Sequence, residues 1–500
     1  MSTVCVIGSG FSGLSAACYL SAQGHDVHVF EKNSTAGGRA RQLKTDSGFV
    51  FDMGPSWYWM PEVFENFFND FGKTAEDFYR LELLNPSFSI VFGKNDVMHV
   101  PADFRELTRL FDSIEIGSGE KLIKMMQDAK IKYDIAFRNI LHKPGLSVKE
   151  FLDADLLKGF FNLQVFSSFS SYIRKYFTHP KLIALMEFPI LFLGATPEQT
   201  PALYSLMNYA ELKLGTWYPQ GGFGKVIDGF MAIARKNGVH FHFDSPIKKI
   251  NTLNGNVVSV DTIEGEFRCD GIIASGDYHH IENDLLNKIQ KNYTEAYWEK
   301  KTFAPSCLIF YLGINKKIKS INHHTLFFDE SLSQHSKEIY EYPKWPTDPL
   351  FYACCPSKTD STVAPHGHEN IFLLMPIATG LEDNDSMREK YFPGMIKRLE
   401  DYTGEKILPH IIYKKSYCIK DFVMDYNSYK GNAYGLANTL MQTAILKPKM
   451  KNHKMSNMFY CGQLTVPGPG VPPSIISGKI AAGLLSEKLK KSNSRYEAAV

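Results

Sequence analysis

The stretch that decides the fold reads Val4-Cys-Val-Ile-Gly-Ser-Gly-Phe-Ser-Gly-Leu-Ser-Ala-Ala-Cys-Tyr-Leu20, followed closely by Asp26-Val-His-Val-Phe-Glu31. The apolar run 4–7 predicts a buried strand, and residues 14–20 continue with helical periodicity. Residues 27–30 predict a second strand that ends in an acid. A glycine turn between strand and helix, with a strand and an acid after it, predicts a dinucleotide-binding βαβ unit, whereas glycines alone would fit any βα turn.

The glycines and the acid each have a physical task in such a unit. Gly8 permits the tight turn, and Gly10 has no Cβ, so a pyrophosphate can approach the backbone at the start of the helix. Gly13 lets the helix pack closely on the sheet. Glu31 is placed to accept hydrogen bonds from a ribose diol. The cofactor contacts predicted for this unit are Gly8, Gly10, Phe11, Ser12, Gly13, Glu31 and Lys32.

The composition is that of a globular protein with two or three structural units. The chain has 500 residues, a formal net charge of +2 and 22% charged residues. That balance predicts no nucleic-acid partner, because such proteins usually carry a strong basic excess. Aromatic residues make up 13% of the chain, which is compatible with a large apolar ligand cavity and also with a well-filled core.

The sequence predicts a cytoplasmic protein that does not cross a bilayer. The first 25 residues carry no Lys, Arg, Asp or Glu, but they lack a basic n-region and the glycine turn interrupts their apolar run, so no signal peptide is predicted. No segment offers about 18 consecutive apolar residues. The eight cysteines show no CxxC spacing, which fits a reducing compartment.

Two short stretches after the first unit narrow the choice of dinucleotide. Gly37-Gly-Arg39 follows the acid, and Asp52-Met-Gly-Pro-Ser56 lies in an aromatic setting. The first resembles FAD-binding oxidoreductases of the amine-oxidase type, and the second is similar to bacterial phytoene desaturases. The resemblance implies that Gly38 and Arg39 lie near the pyrophosphate and flavin, and it places a further set beside the isoalloxazine ring. That set is Gly54, Pro55 and Ser56.

The same resemblance extends over nearly the whole chain. Its other specific motifs are Asn427-Ser-Tyr-Lys-Gly-Asn-Ala-Tyr-Gly435 and Gly462-Gln-Leu-Thr-Val-Pro-Gly-Pro-Gly-Val-Pro-Pro473. Ile247 matches the position whose backbone faces the adenine. Gly462, Gln463 and Val471 precede or begin a last helix, whose N-terminus would anchor the electron-rich edge of the flavin.

The predicted fold class is α/β, with a discontinuous Rossmann-like FAD-binding domain of the amine-oxidase (GR2) type at 1–74, 217–281 and 424–500. An α+β substrate-binding domain with a mostly antiparallel sheet is predicted at 75–110 and 282–423. Residues 111–216 are predicted to form a helical lid that contacts the membrane.

The resemblance implies an FAD-dependent oxidoreductase that inserts trans double bonds into a forty-carbon polyene, converting phytoene to lycopene. Hydride would pass to flavin N5 and a proton would leave the neighbouring carbon, so no catalytic triad is expected, and no base can be named from the sequence. Desaturation of a later carotenoid, hydroxylated or monocyclic, and carotene isomerisation stay open. So does a non-catalytic prenyl or lipid escort protein on the same fold, although the complete glycine set argues against it.

A forty-carbon substrate would be very costly to move through water. At about 0.8 kcal/mol per buried carbon, moving a forty-carbon chain through water costs on the order of 30 kcal/mol. A carotene must therefore pass directly from bilayer to protein, which predicts peripheral binding at the inner face of the cell membrane. The candidate contacts are the aromatic and basic region 156–193, which also fits a packed helical core, and a basic run that also fits a solvated loop. That run is Lys447, Lys449, Lys451 and Lys454.

No second glycine fingerprint follows a strand, so a quinone or oxygen is predicted as the electron acceptor rather than a nicotinamide. No metal is predicted either. His323 and His324 are adjacent, and neighbours in an extended chain point to opposite faces and cannot share an ion. The same holds for His279 and His280. Trp57 and Trp59 could wall a substrate channel or simply pack in the core.

Overall fold

A computed structural model describes residues 1–147, 150, 164 and 166–497 of the chain. Its helices are α1 Phe11–Ala22, α2 Pro61–Asn69, α3 Phe104–Ile114, α4 Ser118–Asn139, α5 Phe169–Ile173, α6 Pro180–Leu193, α7 Leu206–Leu212, α8 Phe223–Lys236, α9 Tyr278–His280, α10 Glu295–Glu299, α11 Leu332–Tyr340, α12 Asp385–Thr403, α13 Ile419–Tyr426 and α14 Val471–Glu497.

The strands alternate with these helices along the chain. They are β1 Thr3–Ile7, β2 Asp26–Phe30, β3 Gln42–Lys44, β4 Val50–Asp52, β5 Leu81–Leu83, β6 Phe88–Gly93, β7 Asp96–Val100, β8 Trp217–Pro219, β9 His240–His242, β10 Lys249–Leu253, β11 Asn256–Asp261, β12 Glu266–Arg268, β13 Gly271–Ala274, β14 Ser306–Ile314, β15 His324–Phe327, β16 Phe351–Cys354, β17 Glu369–Ile377, β18 Ile411–Tyr417 and β19 Met458–Tyr460.

A five-stranded parallel sheet forms the first layer, in the order β19-β13-β1-β2-β9. Val4 pairs with Val27 on one side and Gly271 on the other. Strands from the start, middle and end of the chain thus form one sheet. Its strands β1, β13 and β19 are buried along almost their whole length, as expected of a parallel sheet, whereas the edge strand β9 is partly exposed. This confirms the predicted discontinuous Rossmann-like α/β architecture.

Helix α1 packs between this sheet and the last helix, α14. A Cβ added at Gly478 of α14 would lie 2.2 Å from the Ser12 carbonyl oxygen, so the two helices approach at backbone distance. Ser15 Oγ donates to the Ile475 carbonyl at 2.8 Å. Strands β10, β11 and β12 form the predicted small antiparallel unit.

A seven-stranded sheet forms the second layer, in the order β18-β14-β17-β16-β15-β6-β7. Its pairs are antiparallel except β15 with β6, which confirms a mostly antiparallel sheet. One face packs on α12 through Phe310 and Phe392. The other face, which carries Tyr311 and Tyr352, belongs to the large core that also holds Val4 and Leu122. The limits of the three predicted units stay a prediction.

The described aromatic residues of region 156–193 are mostly buried. Phe169, Tyr172, Phe177 and Phe188 have no exposed surface, and the Arg174 guanidinium pairs with the Glu187 carboxylate. For these residues the packed-core alternative is correct. Lys158, Phe160 and Phe161 lie outside the described residues. Within the described ranges, no helix combines the length and apolar character needed to span a bilayer.

Candidate functional site

The turn between β1 and α1 leaves one glycine facing open space. Gly8 has a φ of +97°, in the left-handed region. A Cβ at Gly13 would lie 2.0 Å from the Gly8 carbonyl oxygen, so Gly13 is needed for the helix to pack. A Cβ at Gly10 would meet only the Gly38 Cα, at 4.0 Å. Gly10 directly precedes α1, so its free side lies at the positive end of a helix, where a phosphate binds.

Glu31 lies at the end of β2 and is tied to the glycine turn. One carboxylate oxygen accepts hydrogen bonds from Ser9 N at 2.9 Å and Ser9 Oγ at 2.8 Å. The other accepts from Asn33 N and Asn33 Nδ2, both at 2.9 Å. These bonds fix the carboxylate. Lys32 has other partners and donates to the Met424 carbonyl and Asn427 Oδ1.

Arg39 brings a cation into the interior beside Gly38. Its Nη2 donates to Ser428 Oγ and to the Asn432 carbonyl, each at 3.1 Å. Its Nε has no hydrogen-bond partner in the described part of the chain. Burial lowers the pKa of this guanidinium, and the Asp277 carboxylate works against that shift. A half-buried guanidinium whose buried Nε has no partner fits an anionic group such as a pyrophosphate, so the residues present fit a dinucleotide.

The Gly54 loop rests on Arg39 and reaches the second sheet. A Cβ at Gly54 would lie 2.5 Å from the Arg39 carbonyl oxygen. Tyr311 donates to the Met53 carbonyl at 2.9 Å, and Tyr352 donates to Ser56 Oγ at 3.1 Å. The loop, including Pro55, is therefore held between the two sheets.

Asp52, just before this loop, is buried and accepts from Gln42 Nε2 and Phe223 N, both at 2.9 Å. Burial raises its pKa to about 6, because desolvation penalises the carboxylate more than the hydrogen bonds stabilise it.

The C-terminal motif closes the same region from the other side. Gly462 has a φ of +106°, and a Cβ there would lie 3.1 Å from Ser12 Oγ. Gln463 Nε2 donates to Asn432 Oδ1 at 3.1 Å. Because the Asn432 carbonyl also accepts from Arg39, the early and late motifs converge there.

The remaining predicted positions lie at the two ends of this region. Val471 is the first residue of α14. Ile247 packs in the apolar cluster of Ile7 and Phe30, near the end of β2. The fold thus assembles the predicted set, and contact of each residue with a cofactor stays a prediction.

An apolar cavity lies between α11, α6 and the inner face of the second sheet. Its walls include Phe188, Leu326, Tyr352, Leu374 and Tyr434. Ser336 and Tyr340 of α11 also line it, and neither hydroxyl has a hydrogen-bond partner in the described ranges. Tyr352 connects the cavity to Ser56, and Tyr434 lies in the 427–435 motif. The sequence of that motif assigns no role to Tyr434, and α11 and Tyr352 carry no motif that could have identified them.

Two sequence-based expectations are wrong. Lys447 is not on the surface. It is 2% exposed and donates to Asn438 Oδ1 at 2.9 Å, and burial lowers its pKa to about 7. The side chains of His323 and His324 do not diverge, and their ring centroids are 4.5 Å apart. Strand β15 begins only at His324, so the alternation of an extended strand does not apply to His323.

Comparison with known proteins gives one consistent family. Residues 11–486 match the family of flavin-containing amine oxidoreductases. A carotenoid 3,4-desaturase of Haloarcula japonica is 38% identical over 97% of this chain and 98% of its own. A zeta-carotene-forming phytoene desaturase of Myxococcus xanthus is 28% identical over 95% of this chain and 92% of its own. The structure of cyclohexylamine oxidase from Brevibacterium oxydans shares the fold, with a TM-score of 0.59, 13% identity and coverage of 98% and 99%.

Proposed function

Because the chain belongs to the flavin-containing amine oxidoreductases and, within them, to the carotenoid desaturases, we propose that it uses FAD to insert carbon–carbon double bonds into a long carotenoid. The observation that carries the substrate class is the 38% identity, over 97% of the chain, to a carotenoid 3,4-desaturase. The proposed reaction of this chain oxidises a CH–CH group, so a hydride and a proton leave adjacent carbons.

The chain's own residues would hold the cofactor along the region described above. The free side of Gly10 and the start of α1 would take the pyrophosphate with Arg39, and Glu31 would take the ribose. The Gly54–Ser56 loop and the Gly462–Gln463 turn would flank the ring system. When bound, the flavin supplies the hydride acceptor.

The protein's contribution is orientation and exclusion of water. The cavity walls offer aromatic and aliphatic side chains and few polar atoms. The cavity measures only about 30 Å³, so its walls would contact one segment of a polyene, on the side where Tyr352 bonds to the Gly54–Ser56 loop. A C–H beside an existing polyene breaks more readily, because the developing positive charge delocalises along the chain. Tyr352 is the cavity residue that hydrogen-bonds to this loop.

Phytoene, desaturated in steps to lycopene, is the proposed first substrate. The match to a phytoene desaturase over 95% of the chain supports it, as does the largely hydrocarbon lining of the cavity. A later carotenoid is the second candidate, and the higher identity to a 3,4-desaturase favours it.

Delivery of so apolar a substrate leads us to propose peripheral binding at the inner face of the cell membrane, with a quinone or oxygen as electron acceptor. Phe166, Met441 and Leu446 are 82%, 71% and 46% exposed. The Ala202 amide donates to the Ser167 carbonyl, and Tyr204 shares a hydrogen bond with Thr443 Oγ1. The segment that holds Phe166 and the segment 441–446 therefore both contact residues 202–204. We infer that together they present one apolar surface to a bilayer.

Co-expression with a phytoene-producing pathway, followed by chromatography of the pigments, tests the function. Lycopene is the expected product, and Gly10→Val is the matched inactive control. Unchanged phytoene, together with conversion of a supplied later carotenoid, would select the second candidate. A colourless protein that FAD cannot reconstitute would reject the enzyme and favour an escort protein.

A further inference from the structure

His323, His324 and Cys354 meet where β15 begins and β16 ends. The strand register places His324 opposite Cys354. All three side chains are buried, and one donor atom of each lies within 4.8 Å of the others. Imidazole nitrogen and thiolate sulfur are the ligands that zinc and other borderline or soft transition metals prefer.

Each of the two imidazole rings has one nitrogen in a hydrogen bond and one nitrogen without a hydrogen-bond partner among the described residues. His323 Nδ1 hydrogen-bonds to Thr359 Oγ1 at 2.8 Å, and His324 Nδ1 to the Tyr352 hydroxyl at 2.6 Å. Neither Nε2 has a hydrogen-bond partner within the described residues. Leaving a buried polar nitrogen unsatisfied costs free energy. A hydrogen bond at one ring nitrogen with the other directed at an ion is the usual arrangement of metal-binding histidines.

The three side chains already lie against one another. Cys354 Sγ is 3.7 Å from His324 Nδ1, the nitrogen that also bonds to the Tyr352 hydroxyl. The ring centroids of His323 and His324 are 4.5 Å apart. Both rings and the thiol are therefore within reach of one ion.

The rings are held in place and the surroundings carry compensating charge. The Trp57 ring stacks on His324 with centroids 4.0 Å apart and planes 13° apart. The Tyr218 ring lies 4.7 Å from His323. Asp360 acts electrostatically on His323, and Asp52 on Cys354. Burial raises the pKa of the Cys354 thiol, so a binding ion must displace its proton, as metal cations do.

We propose that His323, His324 and Cys354 bind one Zn²⁺ per chain, with a water as fourth ligand. Zinc bonds of about 2.0–2.3 Å require the donors to close by about 1 Å, which side-chain rotation supplies. The ion would connect the segment before β15 to the end of β16. Zinc binding at this site does not depend on the proposed desaturation reaction.

A second group, Asp26, His28 and His240, is the natural comparison. It is partly exposed, and both nitrogens of His28 are already engaged, with His242 Nε2 at 3.0 Å and Asp26 Oδ2 at 3.3 Å. It therefore lacks the bare nitrogens of the buried cluster.

The test is metal content of the purified flavoprotein after incubation with Zn²⁺ and removal of excess ion. We expect about one Zn²⁺ per wild-type chain, and at least a tenfold fall for Cys354→Ser and His323→Gln at limiting zinc. Cys355→Ser changes the neighbouring buried thiol, and His28→Gln changes the comparison group, so both should retain the ion. Bound flavin and thermal unfolding report whether each variant is folded.

Co²⁺ supplies a second readout. Tetrahedral cobalt with a thiolate ligand should absorb to the red of the flavin bands, and Cys354→Ser should abolish that absorption. Wild-type protein without stoichiometric metal would overturn the proposal. Retention of zinc in folded Cys354→Ser or His323→Gln would overturn it too, and loss of zinc in His28→Gln would assign the ion to the comparison group.

Discussion

At the residue scale, Gly10 and Gly13 differ in what a side chain would meet. Gly10 has an extended backbone with φ −70° and ψ 176°, which valine adopts readily, and its Cβ would point into open space. Gly10→Val should therefore lower bound FAD at least about tenfold, because the side chain blocks the approach of the pyrophosphate. The unfolding free energy of the apoprotein should change by less than about 1 kcal/mol.

Gly13→Val is the structural counterpart of that variant. Its Cβ would lie 2.0 Å from the Gly8 carbonyl oxygen, so it should cost about 4 kcal/mol or more and yield little folded protein. Flavin absorbance and thermal unfolding separate the two effects. Stoichiometric FAD in folded Gly10→Val would show that the pyrophosphate lies elsewhere.

Lys447 gives a pH-dependent prediction. Its pKa of about 7 in the folded protein lies below the usual 10.5, so between these values the folded state binds fewer protons than the unfolded chain. Its contribution to the free energy of unfolding should rise with pH across this window, by up to about 4–5 kcal/mol, and stay low below pH 7.

Lys447→Met should remove that rise and stabilise the protein at pH 6 by on the order of 3 kcal/mol, after allowing for the lost bond to Asn438. Denaturant unfolding from pH 6 to 10 measures it, and exposed Lys451→Met is the control. Equal pH profiles for wild type and Lys447→Met would contradict the prediction.

The residues that the sequence could place are those whose neighbours are close in the chain. Gly13 and Glu31 belong to one βαβ unit, so spacing alone located them. Lys447 and His323 were misjudged because their surroundings come from distant segments. Lys447 is covered by Asn438 and the Gly468 turn, and His323 meets Thr359 and Tyr218.

At the element scale, hydrophobic periodicity was enough to locate β1, α1, β14 and β17, because each buries a continuous stripe or run. It could not show that β6 joins β15 in parallel, since pairing between distant strands leaves no local trace in the sequence. For the same reason the cavity beside α11 could not be predicted, although its walls include several of the chain's many aromatic residues.

Helix α11 provides a direct test of that cavity. Ser336→Phe should fill the space beside Leu374 and Tyr434 while leaving the glycine turn unchanged. We expect full FAD content with at least about a tenfold slower reduction of the flavin by the carotenoid, because the substrate can no longer enter. Ser333→Phe, on the exposed face of the same helix, should react normally. Unchanged reduction in Ser336→Phe would move the substrate to another part of the molecule.

At the scale of the whole molecule, the site is assembled from the two ends of the chain. Gly462 lies against Ser12, and Gln463 and Arg39 share Asn432. The second sheet completes the enclosure through Tyr352 and Ser56. The proposed delivery of a water-insoluble substrate from a bilayer makes the apolar surface around Phe166 and Met441 the part of the molecule to test.

Met441→Asp should weaken binding to anionic phospholipid vesicles at least about fivefold, because a carboxylate replaces an exposed apolar side chain at the proposed contact. Vesicle co-sedimentation measures binding, and turnover of carotenoid supplied within the vesicles should fall in parallel. Ile289→Asp is the matched control, since Ile289 is 83% exposed but lies in the segment beside β10. FAD content should be unchanged in both variants. Equal loss of binding in both, or in neither, would place the membrane contact outside this surface.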